Sequence, residues 1–390
     1  MAKQGTVSGD RSWLEYPRGA VRLTSLRDVQ CSAGEYVSLA EILDAGHITE
    51  ALLTTFQLDG DWLLSHFPPT TPLTLVANDA SSLDTAPTRA RITIVQPEMV
   101  VPRVQIVHSK IMILFYAARM RLVVATANLV EDEWSVMHNA VFLQDFPLDP
   151  SIVFAANEFS TSLAYSLHDL SIPYGIIARL NNVDFSAATA RIVTTVPTGE
   201  PRRHMNMTSY GMLRLAHVVR ESQKNANSQA KAFEPDARLF CASSSLGKLD
   251  IPWLRDLYLC AHGLDPQPLS LGTRQQMVPS ALVDIALGFH THSQVTACRF
   301  GPQCGRYIMA RRDTYDAATF PKDMLFHLEP RVSGALVHAK AIVARTGVEQ
   351  KTGWVYIGSH NCTPAAWGRL FYNGVPYFNN YEFGVVLPNV

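Results

Sequence analysis

The chain has 390 residues, enough for two domains or one large one. Hydrophobic residues make up 47% and charged residues 17%, which supplies a substantial core and argues against long disordered charged tails. Lysine plus arginine number 33 against 34 aspartates and glutamates, a formal charge of −1, so the chain lacks the basic footprint of a protein that coats duplex DNA and favours a local site.

The first residues, Met-Ala-Lys-Gln-Gly, lead into no apolar run, so no signal peptide is expected. Residues 1–30 read as a polar, extended lead-in. Leu39, Ile42, Leu43, Ile48, Leu52 and Leu53 recur at helical spacing, which predicts a helix over Leu39 to Phe56. Asp59-Gly60 punctuates, Trp62 to His66 predicts a short helix, and Pro68-Pro69 ends it. Strands are predicted at Leu73–Ala77, Arg91–Gln96, Val104–Tyr116 and Arg121–Thr126. The most apolar stretch, Lys110 to Val124, is broken by Arg119 and Arg121, and no segment is long enough to span a bilayer.

Residues 152–167 read as a helix, and Asn181 to Ala190 as a turn-rich junction. A strand at Ala190–Val196, a loop at Gly199-Glu200-Pro201 and a helix from Ser209 to Val219 follow. Further on, Leu239–Ala242, Ala335–Arg345, Trp354–Ser359 and Tyr381–Leu387 read as strands, and Ile251–His262 as a helix. Strands interleaved with helices predict an α/β architecture. The cysteines, Cys31, Cys241, Cys260, Cys298, Cys304 and Cys362, form no C-x-x-C pair and are expected as reduced thiols, with neither a disulfide scaffold nor a zinc site.

The strongest signal is an internal duplication. The first copy runs Val107-His108-Ser109-Lys110-Ile111, then Ala125-Thr126-Ala127-Asn128 and Trp134. The second runs Val337-His338-Ala339-Lys340-Ala341, then Gly358-Ser359-His360-Asn361 and Trp367 at the same separation. A lone H-x-K is common, and a single buried histidine is ordinarily a hydrogen-bonded core residue. Two copies sharing a downstream asparagine and tryptophan are not ordinary. If each motif lies within a strand, residues i and i+2 share a face, so His108 pairs with Lys110 and His338 with Lys340. Lysine is almost never buried unpaired, and a polar group in an apolar setting costs several kcal/mol unless satisfied. Trp134 and Trp367 are expected to pack in the core.

Two ammonium groups and the neutral amides of Asn128 and Asn361 would neutralise a phosphodiester and its five-coordinate transition state without a metal or other cofactor. One neutral imidazole could attack phosphorus while the other, protonated, serves the leaving oxygen. One copy cannot fill both roles.

These residues resemble the phospholipase D superfamily, whose motif is H-x-K-x4-D with a later asparagine. The aspartate positions here hold Phe115 and Arg345. That departure is similar to one branch, the 3′-tyrosyl-DNA phosphodiesterases. Leu114-Phe115-Tyr116, Asp61-Trp62-Leu63, Ser244-Ser245-Leu246-Gly247, Ala365-Ala366-Trp367-Gly368 and Tyr381-Glu382-Phe383-Gly384 match that branch in character, over most of residues 20–390.

The resemblance implies two similar α/β domains, each a mixed sheet flanked by helices, related by a pseudo-twofold axis. They are expected at residues 1–184 and 185–390, with the site at the junction. It implies hydrolysis of a 3′-phosphotyrosyl bond in single-stranded or duplex DNA, left by topoisomerase I, through a covalent phosphohistidine. His108 would be the nucleophile and His338 the general acid and later base. Lys110, Lys340, Asn128 and Asn361 would hold the phosphate. Glu382 would polarise His108, and Asn139 stands where a glutamine is expected behind the other histidine. Ser245 would contact a DNA phosphate through its hydroxyl and backbone N–H, and Ser244 and Ser359 would also contact substrate. A nuclear monomer with no membrane partner is the expectation. The aromatic that usually precedes the first histidine is absent, its stretch holding Val104 and Ile106. The rival readings are a lipid or general phosphodiesterase of the superfamily and a catalytically silent DNA-end-binding module. The missing aspartates oppose the first and the complete His–Lys–Asn pairs the second.

His290-Thr291-His292 could set two imidazoles on one strand face, but without carboxylate or cysteine partners it reads as ordinary histidines. Arg202-Arg203-His204 with Arg311-Arg312 is the best candidate for a basic patch touching DNA, and a solvated loop is its simpler reading.

Overall fold

A computed structural model of the chain describes residues 13–32, 34–83, 91–99, 101, 104–152, 154–198, 209–226, 237–346, 351–372 and 375–388. The Gly199-Glu200-Pro201 loop and the Arg202-Arg203-His204 cluster lie outside them.

Two mixed sheets organise the chain. In spatial order the first runs Tyr36–Val37, Ala20–Thr24, Ala140–Pro147, Arg119–Ala125, Ile111–Phe115, Glu50–Thr55, Leu73–Ala77, Ile92–Val95. The second runs Arg191–Thr195, Asn380–Pro388, Lys351–Gly358, Ala341–Thr346, Ala237–Ala242, Ile285–Phe289, Leu325–His327. From Ala20–Thr24 in one and Arg191–Thr195 in the other, both sheets follow the same pattern: antiparallel pairings to the fifth strand, then two parallel ones. The halves are structural repeats.

The cores explain the layering. Phe159, Leu163 and Leu167 of the helix Glu158–Asp169 pack between the two sheets, against Ile111, Ile113, Leu122 and Val124 of the first and Ile192, Phe383 and Val385 of the second. The outer face of the first sheet is closed by Ile42, Leu43, Leu63 and Trp134. The outer face of the second is closed by the helices Gly211–Ala226 and Ile251–Ala261, through residues such as Leu215, Val219, Trp253 and Leu257. Strands covered on both faces read as unbroken apolar runs, which is why Leu114 and Phe115 flank each other fully buried.

Three element expectations change. The apolar spacing over Leu39 to Phe56 is not one helix: Leu39–Leu43 is helical, Asp44 turns left-handed at φ 45°, and Leu52 and Leu53 belong to the strand Glu50–Thr55. A strand buried on both faces mimics helical periodicity over so short a window. The 152–167 helix begins later, at Glu158, because Asn157 and Ser160 form a reciprocal capping box. His290 and His292 do not share a strand: Thr291 caps the short helix His292–Thr296, which turns His292 outward and leaves His290 buried.

The largest correction concerns the motifs themselves. His108-Ser109-Lys110 and His338-Ala339-Lys340 lie between strands, not within them. Ile106–Val107 pairs in parallel with Asn380 and Tyr381 of the opposite half, and the chain joins its own sheet only at Ile111. Leu336–Val337 likewise pairs with Met137–His138 of the first half before Ala341 joins the second sheet. Each motif is the crossing from one half to the other.

Gly358 and Gly384 face each other across neighbouring strands, and a Cβ on Gly384 would sit 2.2 Å from the Tyr356 hydroxyl. Glycine there lets the buried phenol reach His360 Nδ1. Gly384→Ala is therefore expected to destabilise the fold by about 1–3 kcal/mol through overpacking. Thermal denaturation checks this, and an unchanged melting temperature would contradict it.

Candidate active site

The crossing geometry builds the site. His108 N–H donates to Tyr381 O at 2.9 Å, and His338 N–H donates to His138 O at 2.8 Å, so each motif histidine hangs from the other half's backbone. Leaving the ladder frees the carbonyls of both histidines. Lys110 Nζ folds back onto His108 O at 2.8 Å, and Lys340 Nζ onto His338 O at 2.7 Å. Lys340 also donates to Thr126 O at 3.1 Å across the junction, and its Nζ lies 2.9 and 3.0 Å from the two ring nitrogens of His338. The expected His–Lys neighbours therefore meet, but by a crossing loop rather than by strand alternation.

Behind His108, Nδ1 lies 2.8 Å from Glu382 Oε2, placing the expected carboxylate against the expected imidazole. Glu382 also accepts from Asn380 Nδ2 at 2.8 Å and from the Ser359 hydroxyl. Behind His338, Nδ1 lies 3.1 Å from Asn139 Oδ1, which in turn accepts from Thr126 Oγ1 at 2.8 Å. Thr126 and Asn139 thus repeat Ser359 and Glu382. Asn139 is short, yet it reaches.

The two asparagines are held by their oxygens. Asn128 Oδ1 accepts from the backbone N–H groups of Phe56 and Gln57, each at 3.3 Å. Asn361 Oδ1 accepts from the N–H groups of Ser244 and Ser245 and the hydroxyls of Ser243 and Ser244, all at 3.1 Å. This fixes each amide so that its NH2 is the donor end, that of Asn128 already giving one hydrogen to Glu133 Oε1 at 2.7 Å.

The serines are placed otherwise than expected. Ser359 is fully buried, donating to Glu382 and accepting from Phe383 N–H, so it supports the carboxylate rather than facing substrate. Ser244 is buried against Asn361, and the Ser245 N–H expected to meet a phosphate is already engaged there. Trp134 and Trp367 pack in the cores, Trp134 Nε1 donating to Asn128 O at 2.7 Å. All six cysteines are free thiols.

Several residues of the site were not singled out from the sequence. Glu133, on the helix Glu131–Ser135, accepts from Asn128 Nδ2 at 2.7 Å and lies 3.1 Å from His338 Nδ1. A comparison of the two copies would have shown it, since a carboxylate precedes Trp134 where Ala366 precedes Trp367. It was hidden in the run Glu131-Asp132-Glu133. Phe56 places its ring 5.5 Å from His108, and Tyr307 places its ring 6.2 Å from His338. Phe56 supplies an aromatic where Val104 and Ile106 do not.

Burial dominates the electrostatics. It pushes Lys110 down to about 8 and Lys340 well below its usual value, the latter with help from Lys110. Burial also lowers His108, against the pull of Glu382, and drives His338 down to about 4 despite Glu133. Burial, the largest single influence, would raise Glu382 and Glu133, but His108, His360 and Lys110 around the first, and His338, Lys340 and Asn128 around the second, together outweigh it and leave both near 2, ionised. The influence of Lys340 reaches His108 and that of Lys110 reaches His338, so the two motifs form one cluster. An ionised carboxylate can only accept, so Glu382 sets the proton of His108 on Nδ1 and leaves a lone pair on Nε2.

Among the described residues no cluster of histidine, cysteine and carboxylate could hold a metal ion, and no helix is long and apolar enough to cross a membrane. His290 Nε2 accepts from Val337 N–H at 2.7 Å and lines a separate cavity of about 550 Å³ with Phe289, Phe320 and Phe326. Arg311 and Arg312 rim that cavity and are paired with Asp313 and Asp316.

The two repeated mixed sheets form a phospholipase D-like fold. The fold is similar to the crystal structure of yeast tyrosyl-DNA phosphodiesterase, with a TM-score of 0.72 over 95% of this chain and 90% of that one at 16% identity. The tyrosyl-DNA phosphodiesterase family profile matches residues 20–390, and the chain belongs to that family. It is 27% identical to the Drosophila melanogaster tyrosyl-DNA phosphodiesterase 1 over 93% of its own length and 65% of the fly protein. It is 25% identical to the Arabidopsis thaliana tyrosyl-DNA phosphodiesterase 1 over 90% of its own length and 58% of the plant protein. The chain thus spans less than two thirds of these relatives.

Two outcomes are expected of this electrostatic arrangement. An incoming phosphodiester adds negative charge to a cluster whose histidines are held neutral, so binding should favour imidazolium. Calorimetry of a short unmodified oligonucleotide in buffers of different ionisation enthalpy should show proton uptake near neutral pH, and no uptake would contradict it. Separately, His138 is buried, with no hydrogen-bond partner on either ring nitrogen among the described residues, and burial lowers it to about 4. The unfolded state binds that proton below about 6.5, so this histidine costs stability progressively as pH falls from 6.5 toward 4. His138→Leu should gain about 2 kcal/mol more at pH 5 than at pH 8. Equal denaturation midpoint shifts at both pH values would count against it.

Proposed function

We propose that this protein hydrolyses the 3′-phosphotyrosyl bond between DNA and a topoisomerase I tyrosine, without a metal, through a phosphohistidine. The observation that carries the reading is the crossing itself. It suspends His108 and His338 from opposite halves, ties Nδ1 of each to an acceptor, folds Lys110 and Lys340 onto the two histidine carbonyls, and joins Asn128 to His338 through Glu133.

The chemistry follows from the tautomers. His108 Nε2 attacks phosphorus, forming a P–N bond as the P–O bond to tyrosine breaks. The lysines and asparagine NH2 groups carry the charge of the five-coordinate phosphorus. His338, with Nδ1 held by acceptors, presents Nε2 as the site of proton exchange and gives its proton to the tyrosine oxygen. It then takes a proton from water, which attacks phosphorus and releases His108 and a DNA 3′-phosphate. The nucleophile is assigned to His108 as the histidine of the first motif, by likeness to the family. Other 3′ adducts, single-stranded or duplex ends, and action as a nuclear monomer belong to the same reading.

His108→Ala is expected to lower turnover of a 3′-phosphotyrosyl oligonucleotide by at least about 10³-fold, since no second nucleophile occupies its place. Turnover by the unaltered protein should survive EDTA, and a phospholipid tested in parallel should not be cleaved. Cleavage of the lipid but not the oligonucleotide would move the protein to the lipid branch.

A further inference from the structure

We propose that Glu133 is a positioning residue for His338, supplying on this side of the site the carboxylate that Glu382 supplies to His108. This rests on the function proposed above. The repeat alone does not provide it. The position equivalent to Glu382 is Asn139, since His338 hangs from His138 O as His108 hangs from Tyr381 O, and Thr126 bonds Asn139 as Ser359 bonds Glu382. Duplication therefore leaves His338 with a neutral, short partner 3.1 Å away.

The carboxylate arrives from a different place. Glu133 stands on the helix following Asn128, where the other copy has Ala366, so this charge belongs to one half only. It is fully buried, and an ionised carboxylate there costs several kcal/mol unless it is fully partnered. Among the described residues, every partner of its carboxylate is part of the site. Oε1 accepts from Asn128 Nδ2 at 2.7 Å, Oε2 accepts from Asn128 N–H at 2.5 Å, and Oε2 lies 3.1 Å from His338 Nδ1. Its backbone oxygen accepts from Asn139 Nδ2 at 2.7 Å, which turns Asn139 Oδ1 toward His338. Glu133 thus contacts His338 directly, orients its second acceptor and holds the asparagine beside it.

The consequence is chemical as well as structural. His338 must protonate tyrosine, a poor leaving group, while burial and Lys340 disfavour its charged form. Glu133 is the nearest opposing negative charge. Removing that charge should make His338 a weaker acid–base catalyst without moving His108 or its lone pair.

The test compares Glu133→Gln with the unaltered protein under single-turnover conditions. One substrate is a 3′-phosphotyrosyl oligonucleotide and the other its 3′-p-nitrophenyl analogue, whose leaving group departs without a proton. The first step should slow by about 10²-fold on the tyrosyl substrate. It should change by less than about threefold on the analogue. The alkaline limb of the tyrosyl pH–rate profile should move to lower pH. Moving the carboxylate to the repeat-equivalent position, in Glu133→Gln/Asn139→Glu, should restore most of the tyrosyl rate. Equal losses on both substrates with an unmoved pH profile, or no loss on either, would overturn the proposal. If Glu133→Gln does not fold, Glu133→Asp decides in its place: a loss confined to the tyrosyl substrate supports the role, and equal losses contradict it. Failure of the unaltered protein to cleave the tyrosyl substrate would instead overturn the function on which the proposal rests.

Discussion

Lys110 and Lys340 are buried to 1% and 0% exposure, and the rest of the site is arranged around holding those two ammonium groups out of water. Such burial costs several kcal/mol per charge unless partners replace the lost hydration. The strand break at each motif supplies the first partner, because the histidine carbonyl that leaves the ladder accepts from the lysine two residues on. The second compensation is long-range: Glu382 and Glu133 favour the charge on Lys110 and Lys340. What results is a dry, charge-balanced cluster with neutral imidazoles, to which a phosphodiester would bring the negative charge that lets one of them take up a proton.

The same break couples the halves. Residues that would otherwise complete each half's own sheet pair with the other's, Ile106–Val107 with Asn380 and Tyr381, Leu336–Val337 with Met137–His138. The histidines are therefore fixed to the junction by main-chain hydrogen bonds, which hold position better than side-chain packing alone. Within this near-symmetric frame the chemistry is asymmetric. His108 has Glu382 and Ser359 behind it, while His338 has Asn139, Thr126 and the additional Glu133. Two equivalent histidines with different supports suit two different proton roles.

Much of this was legible in the residues. The duplication, the two-sheet α/β fold, and the pairing of Glu382 with His108 and Asn139 with His338 all meet in the structure as the spacing and the family resemblance led one to expect. The secondary-structure position of the motifs was not legible. An apolar run on both sides of H-x-K has the same composition whether the chain stays in one sheet or changes sheets, because both environments are buried. For the same reason Leu52 and Leu53 looked helical. Ser359 was expected beside the substrate with Ser244 and Ser245, but it lies just past the strand Lys351–Gly358 and its hydroxyl is committed to Glu382. Glu133 was obscured by its neighbours: Glu131 and Asp132 are ordinary acids at a helix N-terminus, and the mismatch with Ala366 in the other copy was the one sequence signal that set the third apart.

The central claim is a covalent bond between His108 and the DNA 3′-phosphate. It is tested most directly by incubating a His338→Asn variant with a 3′-phosphotyrosyl oligonucleotide, trapping the protein–DNA adduct and mapping it by mass spectrometry. A single adduct is expected on the peptide containing His108, long-lived because water is no longer activated. An adduct on any other residue, or turnover of the variant with no adduct at all, would contradict it.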